Sequence, residues 1–145
     1  MSESFLLNFM RVALEVTRVE RAFAVDTALT VMGTVNLAPE EVEPAYLKSA
    51  RKALDSNESI ITDNYTMTVD PAKAPVTNQS FPQLRTVVFI PIAGHGVVCL
   101  DQSVRRGILP KEKVDKLMRV ATQLLQKQQT DMDEEAIFAL YRKAK

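Results

Sequence analysis

The two densest apolar runs of the chain, Val87–Ile92 and Val97–Leu100, are separated only by Ala93-Gly94-His95-Gly96. Runs rich in β-branched residues around so short a turn predict an antiparallel hairpin. Gly94 and Gly96 can take the positive φ angles such a turn requires. Neither run is broken by polar residues, so both faces of both strands are expected to be covered. That places the hairpin at the centre of a sheet.

Elsewhere the rhythm is helical. In Ser4–Arg21 the polar positions Asn8, Arg11, Glu15 and Arg18 fall three or four apart and form one narrow stripe. The rest of that segment is apolar, a wider apolar face than a surface helix needs. Two roles fit the excess: a helix deeply buried in a monomer, or one whose second side meets a partner subunit. Pro44–Asp55 carries Tyr46, Leu47, Ala50, Ala53 and Leu54 at helical spacing, with Pro44 suited to the first turn. Pro110–Gln129 carries Val114, Leu117, Met118, Ala121, Leu124 and Leu125 in a seam of coiled-coil-like spacing. Thr130 is positioned to cap a last helix, Asp131–Ala144, with acids in its first turn and bases near its end.

Between the first two helices, Ala22–Val25 and Leu29–Leu37 read as strands joined by a tight turn at Asp26-Thr27. Gly33 marks a bulge or a close backbone approach. Ser59–Thr62 reads as a short strand. Asp63–Pro82, with Pro71, Pro75 and Pro82 among small polar residues, reads as a long loop. Such loops are uncommon inside compact domains and often carry function, although a plain connector also fits.

Composition narrows the function classes. A chain of 145 residues suits one domain, 46% apolar and 25% charged residues are ordinary for a soluble protein, and 18 basic residues balance 18 acidic ones. The long-range field of a nucleic-acid or membrane-surface binder is therefore not expected. The lone cysteine, Cys99, forms no internal disulfide, and with no secretory signal or membrane span evident the expected compartment is the cytoplasm.

The chemistry for catalysis is sparse. His95, the only histidine, lies at the hairpin tip and is expected to be a solvated turn residue. Cys99 lies among valines and leucine and is expected to be a small core hydrophobe rather than a nucleophile. Glu40 and Glu41 read as solvated charges of a connector, and Asp101 as a turn-stabilising residue. No metal-ligand spacing and no phosphate-binding glycine loop is present in the sequence. The chain is expected not to be an enzyme and to hold no metal and no cofactor.

Four segments resemble those of the GAF domain. Val16-Thr17-Arg18-Val19-Glu20-Arg21-Ala22-Phe23 is similar to the family's LTGAERGF, and Ser59-Ile60-Ile61-Thr62-Asp63-Asn64 to its PVLTDN. Leu84-Arg85-Thr86-Val87-Val88-Phe89-Ile90-Pro91-Ile92 resembles LRSVLCVPL, and Gly96-Val97-Val98-Cys99-Leu100-Asp101 resembles GVIYLD. They occur in the family's order and the resemblance covers roughly residues 5–126.

The resemblance implies an α+β fold of the profilin-like kind. An antiparallel sheet of six or so strands would carry the long N- and C-terminal helices on one face. A short helix and the long loop would enclose a pocket on the other. Residues 1–129 would form the GAF-like domain and 130–145 a C-terminal helical extension. It further implies a sensory or regulatory role in signal transduction, through a small-molecule ligand or as a dimerising module, beside an output domain of a larger signalling protein; the surplus apolar surface of Ser4–Arg21 and the seam of Pro110–Gln129 predict a homodimer formed through the terminal helices. No nucleic-acid or membrane partner is expected. By position the pocket residues are Asp63, Tyr65, Asn78, Phe81 and Arg85. Arg85 either pairs with an anionic ligand group or forms an ion pair with Asp63 or Asp70. The chain lacks the pocket cysteine of bilin-binding members, the N-K…F…D-E signature of cyclic-nucleotide binders and the several cysteines of methionine sulfoxide reductases, so the resemblance names no ligand. A purely structural dimerisation module is the alternative reading.

Overall fold

A computed structural model of the protein describes residues 2–42, 44–66, 84–103, 111–128 and 133–143, with backbone alone at the chain start, around Pro44, along most of β3 and at the start of β4. The elements run α1 (Ser2–Thr17), β1 (Arg21–Asp26), β2 (Val31–Val35), a 3-10 turn (Pro39–Glu41), α2 (Pro44–Ser56), β3 (Ile60–Thr66), β4 (Leu84–Ile92), β5 (Gly96–Ser103), α3 (Lys111–Gln126) and α4 (Glu134–Lys143). The protein is α+β. Among the described residues its antiparallel sheet has five strands, in the order β2-β1-β5-β4-β3, and four α-helices accompany it.

The hairpin forms as the apolar runs predict, and β5 is the central strand. Every residue from Val97 to Leu100, and every one from Val87 to Ile90, is fully buried. The turn is tight because His95 N donates to the Ile92 carbonyl at 2.8 Å and Gly94 takes φ 80°. Gly96 is required for another reason. It lies opposite Asp26 on β1 with φ 149°, and a Cβ there would sit 1.9 Å from the Val25 carbonyl oxygen.

Helix and strand boundaries follow the left-handed residues. α1 stops four residues short of the expected Arg21, because Arg18 takes φ 56° and its N–H donates to the Leu14 carbonyl. Arg21 is thereby free to open β1. Leu29 at φ 65° and Asn36 at φ 63° bracket β2, which is shorter at both ends than the expected Leu29–Leu37. Gly33 is both things its position suggests. Ala24 pairs with Gly33 while Val25 pairs with Val31, which leaves Met32 as a bulge. A Cβ on Gly33 would sit 2.5 Å from Leu7 Cδ2 of α1. Asp133 caps α4, which begins at Glu134, its Oδ1 accepting from Ala136 N at 2.9 Å; the expected cap, Thr130, lies outside the described residues.

The sheet is covered unequally. On one face α1 lies on β1 and β5, α3 lies on β4, and α4 packs on α1 and α3. One core joins Phe5, Phe9 and Met10 of α1 to Leu117 and Leu124 of α3 and Ile137 of α4. The seam expected on α3 is therefore consumed inside the chain, with Val114, Leu117, Ala121 and Leu124 all buried. Val120 belongs with them. On the other face α2 is the one described helix packed on β4 and β5, and a smaller core gathers Phe23, Val25, Tyr46, Phe89, Val97 and Cys99.

Candidate functional site

Alternation along the three central strands sends Arg21, Phe23 and Val25 of β1, Val87 and Phe89 of β4, and Val97, Cys99 and Asp101 of β5 to the α2 face. Near the hairpin tip this face is apolar. At the opposite end it becomes charged. Arg21 and Asp101 stand directly opposite each other across β1 and β5. The Asp101 side chain has no exposed surface and the Arg21 side chain keeps only 16%. Arg21 Nε donates to Asp101 Oδ2 at 3.1 Å, and Nη2 donates to the same oxygen. Tyr46 of α2 reaches the same oxygen, its hydroxyl 3.4 Å away. The Tyr46 ring stands 5.8 Å from that of Phe23 and 6.5 Å from that of Phe89, so one side chain fastens α2 to the sheet by both apolar and polar contact.

Asp101 is thus no turn residue. β5 continues to Ser103, and the same parity that buries Val97 and Cys99 turns Asp101 inward. A carboxylate so placed needs a cationic partner, because isolated buried charge costs several kcal/mol. The sequence held that signal in the phase of Asp101 with its apolar neighbours. Arg21 closes the helical apolar pattern of Ser4–Arg21, which hides it as a partner, and Tyr46 falls at an ordinary apolar position of its helix.

Of the expected pocket residues, Asn78 and Phe81 lie outside the described residues, and Asp63, Tyr65 and Arg85 are described by backbone. Asp63 and Tyr65 do not belong to a loop, since β3 runs on to Thr66. The register shifts between Thr62 and Tyr65, so Asp63 and Asn64 fall at a bulge. Tyr65 pairs with Arg85, and Arg85 pairs with Ser103 on β5. The next row across the sheet is Thr62, Val87, Asp101 and Arg21. Arg85 is therefore a diagonal neighbour of Asp101, roughly 7–8 Å away in backbone terms. The sheet brings Tyr65 and Arg85 into the rows beside the buried ion pair.

Burial, and after it the nearby Asp101 carboxylate, hold the Cys99 thiol well above its ordinary range. A thiol so held stays protonated and is no nucleophile. His95 departs from expectation. Its ring meets Phe5 edge-on at 5.1 Å, and its Nδ1 is buried without a hydrogen-bond partner among the described residues. The turn lies against the start of α1, so the ring packs instead of pointing into water. No group of three or more metal-ligating side chains occurs among the described residues, and none of their helices is long and apolar enough to cross a membrane. The arrangement can fix the orientation of polar groups; it contains no nucleophile–base pair among the described residues.

Comparison with protein-family models and with the curated proteins gives no match.

Proposed function

We propose that the chain is a GAF-like regulatory domain without catalytic activity, which senses a small molecule on the α2 face and pairs with a second copy through its terminal helices. The observation that carries this reading is the unequal cover of the sheet. Among the described residues three helices pack on one face, whereas α2 is the one helix on the other, where the Arg21–Asp101 pair adjoins the rows of Arg85 and Tyr65. A mostly apolar site with a few fixed polar groups is what small-molecule recognition needs. The four segments resembling the GAF domain support the same role, with an output domain elsewhere in a cytoplasmic signalling protein.

A panel of nucleotides, carboxylates and phosphates, screened by thermal denaturation, tests this. A ligand that binds only the folded chain raises the melting temperature with its concentration. Arg85→Ala should weaken that rise for an anionic ligand. The rival reading, a structural dimerisation module, draws on the close aromatic packing of Phe23, Tyr46 and Phe89 under α2. It predicts no shift with any member of the panel.

A further inference from the structure

β2 forms one edge of the sheet, and among the described residues no strand pairs with its outer side. Such an edge presents a row of unpaired backbone donors and acceptors, which proteins commonly guard with charged side chains. Here that guard is missing. From Thr27 to Pro39 no residue is charged, in a chain with 25% charged residues. The strand at the opposite edge, β3, includes Asp63. Every residue of β2 is half-buried. Its regular run is short, because the bulge at Met32 closes it on one side and Asn36, at φ 63°, on the other. The run that remains is Gly33-Thr34-Val35, centred on Thr34.

The flank of α1 adds apolar surface beside this edge. Leu7 and Leu14 lie two turns apart on one side of the helix. With Met32 and Val35 of β2 they are half-buried against the same core. Gly33 and Val35 pair with Ala24 and Ala22 of β1, which belong to that core, so both face α1. Leu7 Cδ2 takes the room a side chain at Gly33 would need, 2.5 Å from where its Cβ would stand. On the α1 side the edge is therefore a glycine roofed by leucine, followed by a branched valine.

We propose that β2 joins the β2 of a second copy, antiparallel about a two-fold axis at Thr34, so that the two sheets become one. The occupant is a second copy because the edge is complementary to itself. A two-fold axis sets each side chain near its own duplicate, so a charged strand would repel its copy and an uncharged one does not. With the axis at Thr34, Gly33 of each copy stands opposite Val35 of the other. The valine then lies beside Leu7, on the row where glycine offers no side chain. Pairing β2 with β2 also closes the assembly, whereas pairing β2 with β3 would repeat without end. This rests on the dimer of the proposed function, whose contact it places at the flank of α1, and not on the ligand.

Thr34→Lys and Thr34→Glu test the axis. Either charge stands opposite its duplicate and should weaken the dimer about fivefold. An equimolar mixture of the two variants should restore it as a heterodimer, because the charges at the axis then attract. Light scattering coupled to size exclusion, from micromolar to millimolar protein, reads the affinities, and native mass spectrometry reads the composition of the mixed dimer. Thermal melts show that each variant is folded. Hydrogen exchange on the wild type needs no variant: amides between Val31 and Val35 should gain protection as the protein is concentrated. A wild-type monomer up to millimolar concentration overturns both the proposal and the dimer it rests on. A dimer indifferent to both charges, a mixture no tighter than either variant alone, or a dimer whose β2 amides gain no protection overturns the strand pairing and leaves pairing through the helices standing.

Discussion

Arg21 and Asp101 face each other across β1 and β5, and two guanidinium nitrogens converge on one oxygen of a carboxylate with no exposed surface. Removing one partner of a buried pair strands the other, which costs about 3–5 kcal/mol. Arg21→Ala should therefore destabilise the fold by about that much. The double variant Arg21→Ala/Asp101→Ala should lose less than the sum of the two single losses. Urea denaturation of the four proteins measures the coupling, and additive losses would mean the pair is not an energetic unit.

The two glycines of the hairpin should separate sharply. Gly94→Ala meets no atom within 4 Å and faces only the positive φ, a loss of about 1–2 kcal/mol. Gly96→Ala drives a methyl group into the Val25 carbonyl, with backbone on both sides of the contact. It should abolish cooperative folding or cost about 4 kcal/mol or more, as only severe core defects do. Thermal melts followed by circular dichroism decide this.

Phe89→Ala, at the centre of the α2-face core, should cost about 3–5 kcal/mol. His95→Ala should cost about 1 kcal/mol, since its ring packs edge-on against Phe5 at 5.1 Å. Equal losses at both positions would contradict the placement of the hairpin relative to α1.

The Cys99 thiol makes stability sensitive to alkali. Its proton is held in the folded state to a higher pH than in the unfolded chain. The contribution is complete below the ordinary thiol value of about 8.5 and declines above it by about 1.4 kcal/mol per pH unit, until the folded thiol ionises. Burial shifts Tyr141 the same way, from its ordinary 10.0 upward. Cys99→Ala should flatten the decline that begins near pH 8.5. Stability profiles of wild type and variant that fall in parallel would show that Cys99 does not set the slope.

Much of the architecture is legible in apolar spacing. Val87–Ile92 and Val97–Leu100 specify a central hairpin because residues covered on both faces leave no polar phase. Boundaries are less legible, because Arg18, Leu29 and Gln128 adopt left-handed conformations that their side chains do not announce. The charged end of the α2 face was legible only in part. Arg85 emerges from its motif, but pairing it with Tyr65 requires the β3–β4 register. The Arg21–Asp101 relationship requires a partner on a strand some eighty residues away (|i−j| = 80). Apolar excess on α1 shows in the sequence, whereas its cover by α4 depends on tertiary packing.

Native mass spectrometry of the purified full chain tests the central claim most directly. The account predicts a dimer in equilibrium with monomer, and a folded chain whose mass includes a retained small molecule or gains one from the panel. A bare monomer at every concentration, gaining mass from no member of the panel, would contradict it.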